Sequence, residues 1–264
     1  MTAQTDLSRP RVVLCTTASV DGRVTTSPAE RLVDPDVRTR WQSAWPPDVR
    51  SLLERRHRWI QERHAPTVTL EGSGTFVAPD AVSPWSGAPA EGAADAGRRD
   101  HLPRRAPRWF VVVDGRGRVD WEFTGDDGTA LLVLVCGATP TGYLRRLREL
   151  GVGYLIAGED RVDLGLALRR LHEVLGARTV VADGGGGLHG ALLRQGLVDE
   201  LHVVVFPALV GGLTTPSFVD GPPLERGGKP VRLRVRSTES GPDGSTWTRY
   251  DVERDGPGVS RAGG

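Results

Sequence analysis

The stretch TVVADGGGGLHGALL, residues 179–193, decides the predicted fold of this chain. Val180 and Val181 suit a buried strand, Asp183 follows them, and four glycines then lead into a helix-like apolar pattern. Consecutive glycines are costly in regular structure because glycine loses the most backbone entropy on folding. The first amides of the following helix are unpaired and lie at the positive end of its dipole. We therefore predict a strand–turn–helix site for a phosphate or pyrophosphate, with a plain tight turn as the simpler alternative.

The composition is that of a globular protein without a strong charge bias. The chain has 264 residues, of which 38% are hydrophobic and 25% charged, and its formal net charge is +1. This balance gives no electrostatic case for nucleic acid or an anionic membrane as a partner, and no apolar run approaches the length of a bilayer span. Since residues 1–10 also lack the apolar core of a signal peptide, we expect a cytoplasmic protein.

The cysteines and histidines give no metal signature. Cys15 and Cys136 lie in separate apolar runs without a C-x-x-C pair, which indicates buried free thiols, although a disulfide stays open. The six histidines lack the spacing of zinc ligands. We therefore expect no metal site.

Strand-like and helix-like segments alternate along the chain, which predicts an α/β fold with a mostly parallel central sheet flanked by helices. The predicted strands cover residues 11–18, 66–70, 109–113, 131–136, 153–157, 179–182 and 201–206. The predicted helices cover residues 34–64 with a break at Pro46-Pro47, 141–150, 163–175 and the segment that stops at Gly196. Alternating residues in 231–235 and 246–252, around the turn at 241–244, predict a C-terminal β-hairpin.

We expect one domain over residues 9–254. Residues 1–8 and 255–264 have the composition of disordered termini. Between residues 83 and 108 the sequence shifts to Pro, Gly, Ala, Arg and Asp, which indicates a long loop insertion and not a domain boundary.

Polar or glycine-rich turns follow three further predicted strands, near Asp21, Gly72 and Gly137. The carboxyl ends of parallel strands meet at one edge of a sheet, so these turns and the four-glycine turn are expected to form one cleft. Residues 185–190 also match G-x-G-x-x-G, but the dinucleotide fingerprint belongs in the first βα unit, with an acid after the next strand. Here Asp199 precedes the next strand, which disfavours an ordinary Rossmann dehydrogenase.

Four motifs in this order resemble those of the riboflavin-biosynthesis pyrimidine reductases, the family of the RibD C-terminal domain. ASVDGR at 18–23 resembles the family's A-S-L-D-G-R, and GSGT at 72–75 resembles its G-x-G-T. DGGGGLHGALLRQGLVDEL at 183–201 is similar to E-G-G-x-x-L-x-x-x-L-L-x-x-G-L-V-D-E-L, and PALVGG at 207–212 to P-x-L-x-G-G. The resemblance extends over roughly residues 9–236 and implies a dihydrofolate-reductase-like fold.

The resemblance implies a stand-alone NADPH-dependent oxidoreductase that forms a homodimer and lacks the deaminase domain of many bacterial members. Its substrate would be a ribosylamino-pyrimidine 5′-phosphate, whose ribose becomes a ribityl chain on hydride transfer, or a closely related heterocycle. One alternative is a reductase of a pterin-like or other conjugated heterocycle in a specialised pathway. A second alternative is a nucleotide-binding protein without catalytic activity.

The resemblance also assigns site residues. Asp183 and Asp21 would bind the substrate and act as catalytic residues. The expected cofactor-binding residues are Thr17, Gly72, Thr75, Thr139, Gly184, Gly185, Gly186, Gly187 and Leu188. The family usually has glutamate at position 183, so the shorter aspartate is a candidate mark of a changed substrate. Arg116 and Arg118 are candidates for the 2′-phosphate of the cofactor, or else solvated turn residues.

Overall fold

A computed structural model describes residues 8–85, 99–126 and 128–253 of the chain. The strands within these ranges are β1 Arg11–Ser19, β2 Val68–Gly72, β3 Arg108–Val113, β4 Thr129–Val135, β5 Gly153–Ile156, β6 Thr179–Ala182, β7 Glu200–Phe206, β8 Leu233–Ser240 and β9 Thr246–Val252. The α-helices are α1 Pro35–Ser43, α2 Asp48–His64, α3 Thr141–Glu149, α4 Leu164–Leu175 and α5 Gly186–Arg194. A single 3₁₀ turn, Ser73–Thr75, follows β2.

All the described strands belong to one sheet, in the order β5-β4-β3-β2-β6-β1-β7-β9-β8. Strands β1 to β7 pair in parallel with their neighbours, whereas β9 runs antiparallel to β7 and β8 antiparallel to β9. The predicted α/β class, the mostly parallel sheet and the C-terminal hairpin are therefore confirmed. The parallel strands end at one edge, where their connecting turns meet.

Alternate residues of each strand face opposite sides of the sheet, and each side has its own helices. Leu14, Leu70 and Ala182 belong to the larger core cluster, which includes residues of α4 and α5. Val13, Cys15 and other residues of the opposite side pack against α2, while a separate cluster joins β3 and β4 to α3. Residues one position beyond Leu70 and Ala182 therefore face the α2 side, at the carboxyl edge.

Side chains cap two of the described helices, whereas α2, α3 and α5 begin after Pro47, Pro140 and Gly185 without a side-chain cap. Asp34 accepts hydrogen bonds from the first amides of α1, and Asp163 accepts one from Leu166 N of α4 at 2.9 Å. Helix α5 begins after Gly185, and no side chain caps it. Its N-terminal amides therefore have no side-chain acceptor from the protein.

Two further predictions concern the cysteines and the chain segments. Cys15 and Cys136 are buried free thiols, as expected. Among the described helices, none is both long and apolar enough to cross a bilayer. Residues 1–7 and 254–264, and residues 86–98 of the predicted loop insertion, lie outside the described residues. The disordered termini and the domain limits at 9 and 254 therefore stay predictions.

Candidate active site

A cavity of about 1290 Å³ opens at the carboxyl edge of the parallel sheet. The ends of β1, β2, β3 and β6 form its floor, together with the first turn of α5. Helix α1 and the segment 160–164 contribute further wall residues. A cleft at this edge agrees with the sequence-based expectation, although the turns at Asp21 and Gly137 are not among its lining residues.

Some glycines in and after the four-glycine turn pack closely against another loop, whereas others have free space where a side chain would be. A Cβ at Gly186 would lie 2.1 Å from the carbonyl oxygen of Ser217, and one at Gly190 would lie 1.8 Å from that of Asp220. These two glycines are required by the close approach of the 217–220 loop. A Cβ at Gly185 or Gly187 would meet no atom within 4 Å, and both residues line the cavity. The open glycines and the uncapped α5 amides together leave room for a ligand's anionic group.

Asp183 follows β6 and faces the cavity. Its backbone N–H donates to Leu70 O at 3.2 Å, which continues the pairing of β6 with β2 for one more residue. The side chain is open to the cavity. The protein around the cavity nevertheless shields the carboxyl group from bulk water, and this burial raises its pKa. The positive charge of Arg56 on α2 acts in the opposite direction and lowers this pKa. Arg56 is held in place by donating to Thr16 O at 2.9 Å.

Glu71 is a cavity residue that the sequence analysis did not select. Leu70 pairs with Ala182, so Glu71 and Asp183 take the next position on neighbouring strands and face the same side. The hydroxyl of Thr75 donates to Glu71 Oε2 at 2.8 Å. Burial and the nearby Asp183 raise the pKa of Glu71 to about 8. The signal available in the sequence was an acid directly after a strand, the same signal as at Asp183.

Asp21 lies in a surface turn, and it is not among the residues that line the cavity. Its carboxylate accepts hydrogen bonds from Ser19 Oγ at 2.6 Å, Gly211 N at 2.7 Å and Val210 N at 3.2 Å. The bond from Ser19, followed by that from Gly211, lowers the pKa of Asp21 to about 2. These bonds connect the end of β1 to the 210–211 segment, and the catalytic role of Asp21 stays a prediction.

The other predicted cofactor residues separate into two groups. Those that line the cavity are Thr17, Gly72, Thr75, Gly184, Gly185, Gly186, Gly187 and Leu188. Thr139 is buried and is not among the lining residues. Its hydroxyl donates to Gly115 O at 2.7 Å and accepts from Cys136 N at 3.0 Å. Thr139 thus holds the turn after β4, while Gly115 itself lines the cavity.

Arginines line the cavity at both of its ends. Arg116 follows β3 and Arg161 follows β5, whereas Arg31 and Arg38 come from the segment before α1 and from α1 itself. The strand order places β3 and β5 on the opposite side of β6 from β1, so Arg161 and Arg38 lie toward opposite ends. Arg31 and Arg116 both contact the segment after Thr75, where Arg31 Nε donates to Val77 O at 3.4 Å and Arg116 Nη2 donates to Pro79 O at 3.2 Å. Arg118 is buried and donates to Ser73 Oγ at 2.8 Å, which makes it a structural residue.

The α1 end of the cavity has an aromatic wall. Trp41 and Trp45 line it, and their rings pack against Phe206 with centroid distances of 5.2 and 6.1 Å. Both tryptophans therefore contribute to the core and to the cavity surface. Leu32 and Val33 add further apolar surface at this end.

The fold and the cavity define an α/β protein with a candidate ligand site at the carboxyl edge of a parallel sheet. The chain matches the family model described as "RibD C-terminal domain" over residues 10–247. The chain belongs to this family, which confirms the resemblance seen in the sequence.

Curated relatives within this family are reductases with a stated substrate. The chain is 34% identical over 127 residues to the 2,5-diamino-6-ribosylamino-4(3H)-pyrimidinone 5′-phosphate reductase of Methanothermobacter thermautotrophicus. The matched segment covers 48% of this chain and 58% of the relative. It is 35% identical over 112 residues to the protein of the same name from Archaeoglobus fulgidus, with 42% and 50% covered. The matches therefore span only half to three-fifths of these relatives.

Solved structures share the fold over almost the whole chain. A pyrimidine reductase-like protein from Corynebacterium diphtheriae has a TM-score of 0.58 at 18% identity, with 93% of both chains covered. The riboflavin biosynthesis reductase Rib7 of Saccharomyces cerevisiae has a TM-score of 0.56 at 17% identity, with 96% of this chain and 93% of Rib7 covered. At these identities the likeness concerns the fold alone.

Proposed function

We propose that this protein is an NADPH-dependent reductase that transfers a hydride to a ribosylamino-pyrimidine 5′-phosphate or a closely related heterocycle. One observation carries the proposal: the open glycines of an uncapped helix line the same cavity as a pair of neighbouring acids, Glu71 and Asp183. Family membership and the substrate named for the archaeal relatives support the reaction class.

The residues of the glycine turn fit a dinucleotide. Gly185 and Gly187 leave space that a side chain would fill, and the α5 amides favour the pyrophosphate. Thr17, Gly72, Thr75 and Leu188 lie around the same cavity and would contact the rest of the cofactor. When bound, NADPH supplies the hydride, and the protein supplies orientation and electrostatics.

Arg116 and Arg161 support a preference for NADPH over NADH. They line the β3 and β5 end of the cavity, where their guanidinium groups are available to a 2′-phosphate. We expect the Arg116→Ala, Arg161→Ala double variant to lose roughly 10- to 100-fold in its preference for NADPH. Arg38→Ala, at the other end, should leave the coenzyme preference unchanged, and measured Kd values for both coenzymes compare the two variants.

The α1 end would hold the substrate. Arg38 supplies positive charge for a 5′-phosphate, and Asp183 lies between this end and the β3 end. We propose that Asp183 orients the substrate and stabilises the positive charge of its iminium form.

The aromatic wall favours one second candidate, a reductase of a pterin-like or other conjugated heterocycle. Trp45 and Leu32, with the buried Trp41 behind them, offer apolar surface for a fused ring. The shorter acid at position 183 leaves more room in the same cavity than the family's glutamate would.

A substrate panel distinguishes the candidates. The purified protein is given NADPH with the ribosylamino-pyrimidinone 5′-phosphate, with a pterin and with a dihydropterin, and NADPH consumption is followed by absorbance. Turnover of the first compound supports the proposed function, and turnover of the pterins alone supports the second candidate. NADPH that binds without being consumed in any mixture would indicate a nucleotide-binding protein instead.

We also propose that the protein forms a homodimer. Strand β8 is at the edge of the described sheet, and Leu233 and Val235 on it are 40% and 58% exposed. Exposed apolar residues on an edge strand are a template for pairing with a second copy. Val235→Asp should therefore shift the mass measured by light scattering from dimer to monomer, whereas Val82→Asp, at another exposed valine, should not.

A further inference from the structure

We propose that Glu71 is the proton donor of the reductase reaction and works as a pair with Asp183. This inference rests on the proposed function and names a catalytic residue that the family motifs do not contain. Glu71 lines the cavity and is half-buried, so its carboxyl reaches both the ligand space and the protein interior.

The geometry of the pair comes from the register of two parallel strands. Leu70 of β2 pairs with Ala182 of β6, and Asp183 N still donates to Leu70 O at 3.2 Å. The next residues, Glu71 and Asp183, therefore emerge side by side on the α2 face of the sheet. Thr75 donates its hydroxyl proton to Glu71 Oε2 at 2.8 Å and fixes the orientation of the carboxyl group.

The charged neighbours place the proton on Glu71. Asp183 is the acid that faces Glu71 from β6, and Thr75 faces it from the 3₁₀ turn. Burial raises the pKa of Asp183, and Arg56 on α2 opposes this rise, whereas the influences on Glu71 are burial, Asp183 and Thr75; we therefore assign the proton of the pair to Glu71 and the charge to Asp183. Cys15 on β1 also lies within the field of Asp183 and Arg56, and burial raises the pKa of its thiol to about 12, so it stays neutral. Glu71 therefore carries a proton at neutral pH.

The proposed step needs one proton for each hydride. The C1′–O4′ bond of the ribosylamino group breaks, O4′ takes the proton from Glu71, and the lone pair of the glycosylic nitrogen forms the C1′=N iminium. C1′ then accepts the hydride supplied by NADPH, and the electron pair of the C=N bond returns to nitrogen. Glu71 is left as a carboxylate and regains a proton from solvent, so one NADPH and one proton are consumed for each ribitylamine formed.

The test compares Glu71→Gln with Glu173→Gln, which removes an exposed acid of α4. Glutamine keeps the shape and the acceptor for Thr75 but has no proton to donate. We expect kcat of Glu71→Gln to fall roughly 100-fold, as for the loss of a general acid, while the Kd for NADPH changes less than about twofold. The wild-type kcat should decrease above an apparent pKa of about 8, and this decrease should be absent from the variant. Glu173→Gln should behave as wild type.

A titration of the free protein tests the protonation itself. In a ¹³C-glutamate-labelled sample, one carboxyl resonance should titrate near pH 8, vanish in Glu71→Gln and move to lower pH in Asp183→Asn. Full kcat in Glu71→Gln, or glutamate resonances that all titrate in the ordinary acidic range, would overturn the proposal. A wild-type protein that consumes no NADPH with any panel member counts against the proposed function, whereas turnover retained by the variant counts against Glu71 alone.

Discussion

Strands β1 and β6 are neighbours in the sheet, and each ends in an acid followed by glycine, yet the two ends have different environments. Asp21 after β1 is at the surface, where its carboxylate accepts three hydrogen bonds from protein groups and has a pKa of about 2. Asp183 after β6 faces the cavity, and burial raises its pKa.

The glycines that follow these two acids also have different environments. Gly22 has φ of +77°, a left-handed conformation that a turn requires and that other residues adopt only with strain. Gly185 has φ of −78°, which suits any residue, and the space around its Cβ position is open. The segment at Asp21–Gly22 therefore stabilises a turn, whereas the segment at 183–185 places a carboxylate in a cavity and keeps the space at Gly185 open. Four substitutions test this difference.

The largest effect is expected from Asp183→Asn. Loss of the charge that stabilises the iminium form should lower kcat by about 100-fold, while the Kd for NADPH stays within a few-fold. Steady-state kinetics and fluorescence titration measure the two quantities. An equal loss of cofactor affinity would mean that Asp183 contacts the cofactor and not the substrate.

Gly185→Val should weaken cofactor binding without destabilising the fold. A Cβ at this position meets no protein atom within 4 Å, but the valine fills ligand space, and overpacking of about 1–3 kcal/mol weakens NADPH binding by roughly 5- to 150-fold. The thermal midpoint of the free protein should not change. Gly186→Val is the matched control, because its side chain would collide with Ser217 O and should lower the midpoint. Normal NADPH affinity in Gly185→Val would remove the glycine turn from the cofactor site.

Gly22→Ala should have the opposite effect, lowering the stability of the fold while leaving NADPH binding unchanged. An alanine at positive φ costs about 1–2 kcal/mol, and the nearest ring atom of Phe218 at 3.5 Å leaves room for the methyl group itself. Urea unfolding should detect this loss of stability, and the NADPH Kd should match that of wild type. A variant with weaker binding and unchanged stability would show that the β1 turn belongs to the ligand site.

The smallest effect on turnover is expected from Asp21→Asn. We expect kcat to stay within about twofold of wild type, as for a surface substitution. Because the folded-state pKa of about 2 is below the ordinary value of 3.8, Asp21 contributes stability above about pH 4 that is lost as the pH falls toward 2. Thermal midpoints from pH 5 to pH 2 should therefore fall less steeply in Asp21→Asn. A large drop in kcat would instead support the catalytic role that the resemblance assigns to Asp21.

Much of the fold could be predicted because the signals are local. Apolar runs of β-branched residues, proline breaks and capping acids identify strands and helix limits within a few positions of the observed ones. The predicted strand 131–136 is observed as β4 Thr129–Val135, and the helical region 34–64 divides at Pro46-Pro47 into α1 and α2. The hairpin strand predicted at 231–235 is β8, which begins at Leu233 and extends to Ser240.

The candidate site was less predictable, because whether a residue lines the cavity depends on the direction of its side chain as well as on its position in the chain. Thr139 and Asp21 follow strand ends in the sequence as Asp183 does, but their side chains bond to neighbouring turns, that of Thr139 to Gly115 O and that of Asp21 to Gly211 N. Glu71 was not predicted as a site residue, because in the sequence it belongs to a segment that has the pattern of a glycine turn. Arg161 and Trp41 reach the cavity from a loop and a helix whose packing no local pattern describes.

The sequence by itself determined the alternation of strands and helices, the glycine turn before α5 and the family, because these depend on local periodicity, glycine's backbone freedom and the order of motifs. Only the tertiary structure decided which acid is a turn residue and which lies in the cavity. It also brought Glu71 next to Asp183, two residues far apart in the chain. The pKa of a carboxyl group depends on burial and on the charges around it, and both arise only when β2, β6 and α2 pack together.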